Sequence, residues 1–92
     1  MTIREPKKIP TTDSKEDIRN ENLLILHNDD VHTFDYVIEA LIEICEHAYE
    51  QAAQCTILVH YKGKCDVKKG SFASLKPMKD ALIERELNAT ID

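Results

Sequence analysis

Three short polar side chains, those of Asn28, Asp29 and Asp30, follow closely after an apolar run at residues 23–26. An amphipathic pattern begins soon after them, so they lie where a predicted strand passes into a predicted helix. Amide and carboxylate oxygens at such a corner could accept hydrogen bonds from a positively charged group with several donors, such as a primary amine. The same residue types are favoured in turns and helix caps, so a purely structural role is the alternative.

Other chemistries find little support in the residue pattern. No nucleophile motif of the G-x-S-x-G kind is present, and the only two glycines, Gly63 and Gly70, exclude a glycine-rich phosphate loop. The histidines and cysteines match no standard zinc-ligand spacing, so we expect neither a metal nor a cofactor. Asp29 and Asp30 could form an acid–base pair, although adjacent side chains usually point apart. The sequence therefore favours binding over catalysis.

The composition narrows the class of partner and the compartment. The chain has 92 residues and a net charge of −5, which argues against a nucleic-acid partner because phosphates require a basic surface. No stretch approaches the length of a membrane span, and no secretory signal is visible. Cys45, Cys55 and Cys65 are an odd number of cysteines without C-x-x-C spacing. They predict reduced, buried thiols in a cytoplasmic protein.

The elements that must position the polar corner lie after residue 21. Residues 1–21 contain Pro6, Pro10 and many charges, and they predict a mobile tail because they cannot bury enough apolar surface. Residues 22–27 predict a strand that is apolar on both faces and therefore central or well covered. Thr33 is a plausible cap for a helix over residues 34–46. Its apolar face is formed by Phe34, Val37, Ile38, Leu41, Ile42 and Cys45.

The secondary structure of the second half of the chain is predicted less uniquely. Residues 49–62 combine a helix-favouring start with a β-branched end, so their pattern leaves helix and strand open, although Gly63 could end a helix. Residues 64–69 predict a strand, Pro77 fits the first turn of a third helix, and residues 87–91 alternate like a closing strand. The resulting order, β-α-α-β-α-β, predicts a small two-layer α/β (α+β) domain over residues 22–92.

Three segments together resemble the ClpS family, whose members are adaptors of the ATP-dependent Clp protease that recognise N-terminal degradation signals. They are Asn28-Asp29-Asp30, residues 34–38, and the sequence V-H-Y-K-G-K at residues 59–64. The similarity covers roughly residues 23–70 and weakens afterwards. It implies that residues 49–62 are helical, so that His60 shares a pocket face with Thr56 and Val59.

The resemblance also implies a ligand and a site for it. A free α-amino group carries three donors, which Asn28, Asp29 and a neutral His60 would accept, while Asp30 would add negative charge or orient the loop. The first side chain of the substrate would enter an apolar pocket. By position in the family pattern, the residues of this pocket are His32, Phe34, Val37, Thr56, Val59 and Leu87.

The resemblance implies a non-enzymatic adaptor that delivers substrates selected by their N-terminal residue, according to the N-end rule. Substrates with N-terminal Leu, Phe, Tyr or Trp, known as N-degrons, would be handed to a ClpA-type AAA+ unfoldase that engages the tail. Phe34 stands where relatives have methionine and Thr56 where they have a bulkier residue, so the preference among these four is open.

Two other functions remain as alternatives to the adaptor. One is a non-catalytic interaction domain like that at the C-terminus of the ribosomal stalk protein. The other is a small enzyme or metal protein using Asp29, Asp30 and His60.

Overall fold

The computed structural model describes residues 21–92, so the tail predicted over residues 1–21 lies, apart from Glu21, outside the described residues. The described part has the predicted order β-α-α-β-α-β and is an α+β fold, which confirms the predicted class. Its elements are β1 (Asn22–His27), α1 (Phe34–Cys45), α2 (Tyr49–Lys62), β2 (Lys64–Gly70), α3 (Phe72–Glu84) and β3 (Asn88–Ile91).

The three strands form an antiparallel sheet in which β1 is central, in the order β2-β1-β3. This placement confirms the interpretation of residues 22–27 as a central strand. Leu24 and Leu26 of β1 are almost completely buried in one core with Leu41 of α1 and with Leu75 and Leu82 of α3. A strand paired on both edges and covered by helices needs such apolar residues. The last residue of β1 is thereby held rigidly, directly before the polar corner.

Helix α1 begins and ends much as its sequence predicts. The hydroxyl of Thr33 accepts a hydrogen bond from the backbone N–H of Tyr36 at 3.1 Å, which confirms the predicted N-cap. Glu46 adopts a left-handed conformation with φ of 60° and ends the helix there. The helix is therefore one residue shorter than the predicted range.

Residues 49–62 form a helix throughout, as the resemblance implied and the residue pattern alone left open. Gly63 ends this helix α2 with φ of 93°, and its N–H donates to the carbonyl of Val59 at 3.0 Å. No atom outside its chain neighbours would lie within 4 Å of an added Cβ, so the need for glycine comes from the backbone conformation alone. The turn sends the chain directly into β2.

The prediction that Pro77 lies in the first turn of the third helix is wrong. Helix α3 begins at Phe72, because the hydroxyl of Ser71 accepts a hydrogen bond from the N–H of Ser74 at 3.1 Å and caps it. Pro77 therefore lies in the second turn, where its missing N–H deprives the carbonyl of Ala73 of a helical partner. The sequence pattern assigned Ser71 to a loop and so overlooked the stronger start signal.

A pair of hydrogen bonds joins the loop after α1 to an irregular point of β2. The pairing of β1 with β2 shifts at Val67, which has no partner residue on β1. The buried ring of His47 donates from Nε2 to the free carbonyl of Val67 at 2.6 Å, and Nζ of Lys68 donates to the carbonyl of Cys45 at 3.0 Å. These contacts satisfy backbone acceptors that the sheet and the helix end leave unpaired.

The three cysteines are free and buried, as their number and spacing predicted. Burial is the main cause that raises the pKa of Cys45 to about 11 and that of Cys65 to about 12. Both thiols therefore stay protonated and behave as small apolar groups of the core. Among the described residues, no helix is long and apolar enough to cross a membrane.

Replacing His47 by alanine tests the importance of its bond to Val67. The variant leaves the Val67 carbonyl without its donor, so we expect the free energy of unfolding to fall by about 1–3 kcal/mol in urea denaturation. The control is Gln54→Ala, at an exposed position of α2, which is expected to change the free energy of unfolding by less than about 0.5 kcal/mol. A His47 variant as stable as this control would show that the bond contributes nothing.

Candidate functional site

The end of β1, the loop after it, the start of α1, one face of α2 and the residue just before β3 surround one cavity. Every predicted site residue except Asp30 lines this cavity. The lining residues are Leu26, His27, Asn28, Asp29, His32, Phe34, Val37, Thr56, Val59, His60 and Leu87. Residues far apart in the sequence therefore converge on one cavity.

The polar end of the cavity is held by a backbone bond between two turns. The N–H of Asn28 donates to the carbonyl of Gly63 at 2.9 Å. Because Gly63 ends α2, this bond places Asn28 beside the last helical turn, which carries His60. Asn28 and His60 are both exposed, so their polar atoms are accessible to a ligand.

The carboxylate of Asp29 organises the loop between β1 and α1. Its Oδ1 accepts hydrogen bonds from the backbone N–H groups of Val31 at 3.0 Å and His32 at 3.1 Å. The His32 ring nitrogen Nδ1 lies 3.1 Å from both carboxylate oxygens. Partial burial acts to raise the pKa of Asp29, but these bonds outweigh it and hold the pKa below its ordinary value.

The contacts of Asp29 bear on both roles considered for the corner. The structural alternative, a turn fixed by an aspartate side chain, is present in the two bonds to Oδ1. Within the described part of the chain, Oδ2 has only the His32 ring as partner, so it can accept a further donor. Asp30 is exposed and lies outside the cavity lining, which leaves Asp29 as the carboxylate that lines it.

Apolar side chains form the rest of the cavity wall. Thr56, Val59 and Leu87 are buried, and the Thr56 hydroxyl donates to the carbonyl of Ala52 at 2.8 Å, within its own helix. Because that bond satisfies the hydroxyl donor, burying Thr56 in an apolar wall costs little free energy. These residues come from α2 and from the turn before β3 and can enclose an apolar side chain.

Phe34 stands at the mouth of the cavity and is 43% exposed. Its ring packs edge to face against that of His60, with centroids 5.3 Å apart and an interplanar angle of 69°. An aromatic side chain of α1 therefore contacts the polar end of the cavity and also lines it beside the apolar wall. The sequence predicted both residues for the site but not their contact.

Two lining residues, Leu26 and His27, were not predicted as site residues. Leu26 was expected in the strand, and nothing in a strand pattern distinguishes a core residue from one that borders a cavity. His27 pairs through Nε2 with the hydroxyl of Thr90 on β3 at 2.8 Å. Its position directly before Asn28 was the available signal.

The arrangement is suited to binding rather than to metal chemistry. Among the described residues, no group of three or more His, Cys, Asp or Glu side chains could hold a metal ion. Acceptors at one end of the cavity and apolar walls at the other match a molecule that carries an ammonium group next to an apolar side chain.

Comparisons with known proteins agree with this geometry. A solved structure of similar fold is that of Agrobacterium tumefaciens ClpS2 bound to L-phenylalaninamide. It matches with a TM-score of 0.72 and 18% sequence identity, over 79% of this chain and 95% of that chain. The family model of the ATP-dependent Clp protease adaptor protein ClpS matches residues 19–90, most of the sequence. The chain therefore belongs to the ClpS family of Clp protease adaptors.

Proposed function

We propose that this protein binds substrate proteins by a hydrophobic N-terminal residue and its free α-amino group, and delivers them to a ClpA-type AAA+ unfoldase of the Clp protease. The observation that carries the proposal is the single cavity in which Asn28, Asp29 and His60 meet the apolar walls of Val59 and Leu87. The family is one of adaptors, so the chain acts by binding and not by catalysis.

The amine end of the ligand needs acceptors. An α-ammonium group has three donors, and the Asn28 side-chain oxygen, Oδ2 of Asp29 and a neutral His60 nitrogen can accept them. Charge-assisted hydrogen bonds of this kind contribute roughly 1.5–3 kcal/mol each. Because Asp29 is ionised, it also balances the charge that the ligand brings into the cavity.

The side-chain end of the ligand needs apolar surface. Burying a leucine or aromatic side chain against Val37, Thr56, Val59 and Leu87 contributes roughly 1.5–3 kcal/mol. L-Phenylalaninamide, the ligand in the Agrobacterium structure, combines a free α-amino group with an aromatic side chain. This chemistry supports N-terminal Leu, Phe, Tyr and Trp as the ligands here, with Phe34 at the mouth of the pocket.

Delivery requires a partner that supplies energy. The sequence has no glycine-rich phosphate loop, so ATP hydrolysis belongs to the unfoldase, which we place with this adaptor in the cytoplasm. Residues 22–92 form the adaptor core in this proposal. Residues 1–21, whose sequence predicts a mobile tail, are the segment that the unfoldase engages during transfer.

The proposal predicts that a free N-terminus is essential for binding. A labelled peptide with a free N-terminal Leu or Phe is expected to bind in fluorescence anisotropy, and its N-acetylated twin to bind at least tenfold more weakly. Acetylation removes the charge and leaves one donor, so buried acceptors lose their partners. Equal binding of both peptides, or binding of neither, would contradict the amine site and favour an interaction domain of the ribosomal-stalk type.

A second prediction concerns His60 as an acceptor. Lowering the pH from about 8 to about 5 protonates ordinary histidine side chains, which turns an acceptor into a donor that repels the ammonium group. We expect peptide affinity to fall over this range, and to fall roughly tenfold less in His60→Gln, whose amide oxygen remains an acceptor. Circular dichroism would verify folding at both pH values, and the same loss in both proteins would exclude His60 as the acceptor.

A third prediction separates the two carboxylates. Asp29→Asn keeps an oxygen that can accept from the loop N–H groups but removes the charge, so we expect peptide affinity to fall about tenfold. Asp30→Asn makes the same charge change outside the cavity and is the matched control, with an expected loss below about twofold. A larger loss of peptide affinity in Asp30→Asn than in Asp29→Asn would mean that Asp30, and not Asp29, supplies the charge for the ligand.

The stability of Asp29→Asn has a defined pH dependence. Because the pKa of Asp29 is lower in the folded protein than its ordinary value of 3.8, its charge stabilises the fold at pH values above 3.8. This contribution is lost as the pH falls through the folded pKa. Urea unfolding should therefore show wild type more stable than the variant at neutral pH, with a gap that narrows below pH 3.8. A gap independent of pH would mean that the charge of Asp29 does not hold the loop.

A further inference from the structure

Tyr36 lies in the first turn of α1 and is not among the residues that line the cavity. We propose that Tyr36 is a positioning residue that fixes the width of the pocket and so determines which N-terminal side chains it accepts. This inference rests on the proposed function, because it concerns selection among the ligands of that same site. It is carried by two contacts, one to each side of the cavity.

The first contact is with His32, on the side of the amine-accepting corner. The rings of His32 and Tyr36 stack with centroids 4.6 Å apart and an interplanar angle of 17°. The other support of the His32 ring is the Asp29 carboxylate, 3.1 Å from Nδ1. His32 is thus held between Asp29 and Tyr36, and one side of the cavity is fixed to the first turns of α1.

The second contact is with the turn between α3 and β3, on the opposite side. The Tyr36 hydroxyl donates to the backbone carbonyl of Arg85 at 2.8 Å, although the two residues are 49 positions apart. Arg85 caps α3, and a carbonyl at this end of a helix has no partner within the helix. The tyrosine hydroxyl supplies that partner from α1.

This turn places Leu87, an apolar wall residue of the pocket. Glu86 has a left-handed backbone with φ of 65°, a strained conformation for a residue with a side chain, and Leu87 follows it directly. Leu87 is only 4% exposed, and its N–H donates to the carbonyl of Leu82 at 3.0 Å. The Glu86 N–H also donates to the carbonyl of Ile83 at 2.8 Å, so bonds within the turn set its conformation, and contacts from α1 set its position.

A second polar contact between α1 and this turn is the ion pair of the Arg85 guanidinium with Glu43. Both side chains are at least one third exposed, and exposed ion pairs hold geometry weakly. The Tyr36 residue is 38% exposed as well, but its hydroxyl makes a directional hydrogen bond to the backbone of the turn that carries Leu87. Without it, the Leu87 wall can move away from the helix face that carries Val59, and the pocket widens.

Tyr36→Phe in the full chain removes the hydroxyl and keeps the stacked ring. Affinities for peptides with free N-terminal Leu and Trp are measured by fluorescence anisotropy. A wider pocket loses contact with leucine but still encloses tryptophan, so we expect the ratio of Trp to Leu affinity to rise at least threefold. Hydrogen exchange at the Glu86 and Leu87 amides is expected to become faster in the same variant.

Two control variants separate this role from general effects. Tyr49→Phe removes a tyrosine hydroxyl from a residue that is 60% exposed and has no side-chain hydrogen bond within the described part of the chain. Arg85→Ala removes the ion pair with Glu43 and keeps the carbonyl that Tyr36 contacts. Both variants are expected to leave the ratio of Trp to Leu affinity within about 1.5-fold of wild type.

The outcomes distinguish failure of this inference from failure of the proposed function. If wild type binds free N-terminal peptides but Tyr36→Phe leaves both the affinity ratio and the exchange rates unchanged, the positioning role is overturned while the proposed function stands. Equal loss for every peptide together with a lower melting temperature would show a purely structural role and also overturn it. If wild type distinguishes no peptide from its acetylated twin, the proposed function fails and the selection role fails with it.

Discussion

The hydrogen bond from the Asn28 N–H to the Gly63 carbonyl joins the two segments on which the site depends. It is possible because Gly63 adopts a positive φ and reverses the chain immediately after α2. The end of the central strand and the end of α2 are thereby fixed together, so Asn28 and His60 meet at one side of the cavity. The apolar walls follow from the same packing, since α2 presents Val59 about one turn and Thr56 about two turns inside that end.

The side chain of Asp29 both holds the loop after β1 and lines the cavity. A carboxylate has two oxygens with several lone pairs, and here one oxygen accepts from two backbone N–H groups of the loop. The bonds that shape the loop also keep Asp29 ionised, because hydrogen bonds to the charged form lower its pKa. The contacts that fix the corner therefore also keep a negative charge at the lining of the cavity.

Much of the fold could be predicted, and the exceptions have local physical reasons. The amphipathic period of α1, its Thr33 cap and the apolar run of β1 are short-range signals that depend on neighbouring residues. The start of α3 was predicted wrongly, since Pro77 was taken as the start signal while the Ser71 cap decides it. Residues 49–62 could be predicted as a helix only through the resemblance, because β-branched residues fit a strand as well as a buried helix face.

The sequence by itself determined the elements other than α2 and the polar corner after β1, and the ClpS resemblance added the helical state of residues 49–62 and the candidate site residues. Only the tertiary structure decided that Asp29 rather than Asp30 lines the cavity and that Tyr36 contacts Arg85. The reason is the distance along the sequence between the residues that interact. Periodicity and capping are set by residues a few positions apart, whereas the contacts of a side chain with a distant turn depend on how helices pack against the sheet.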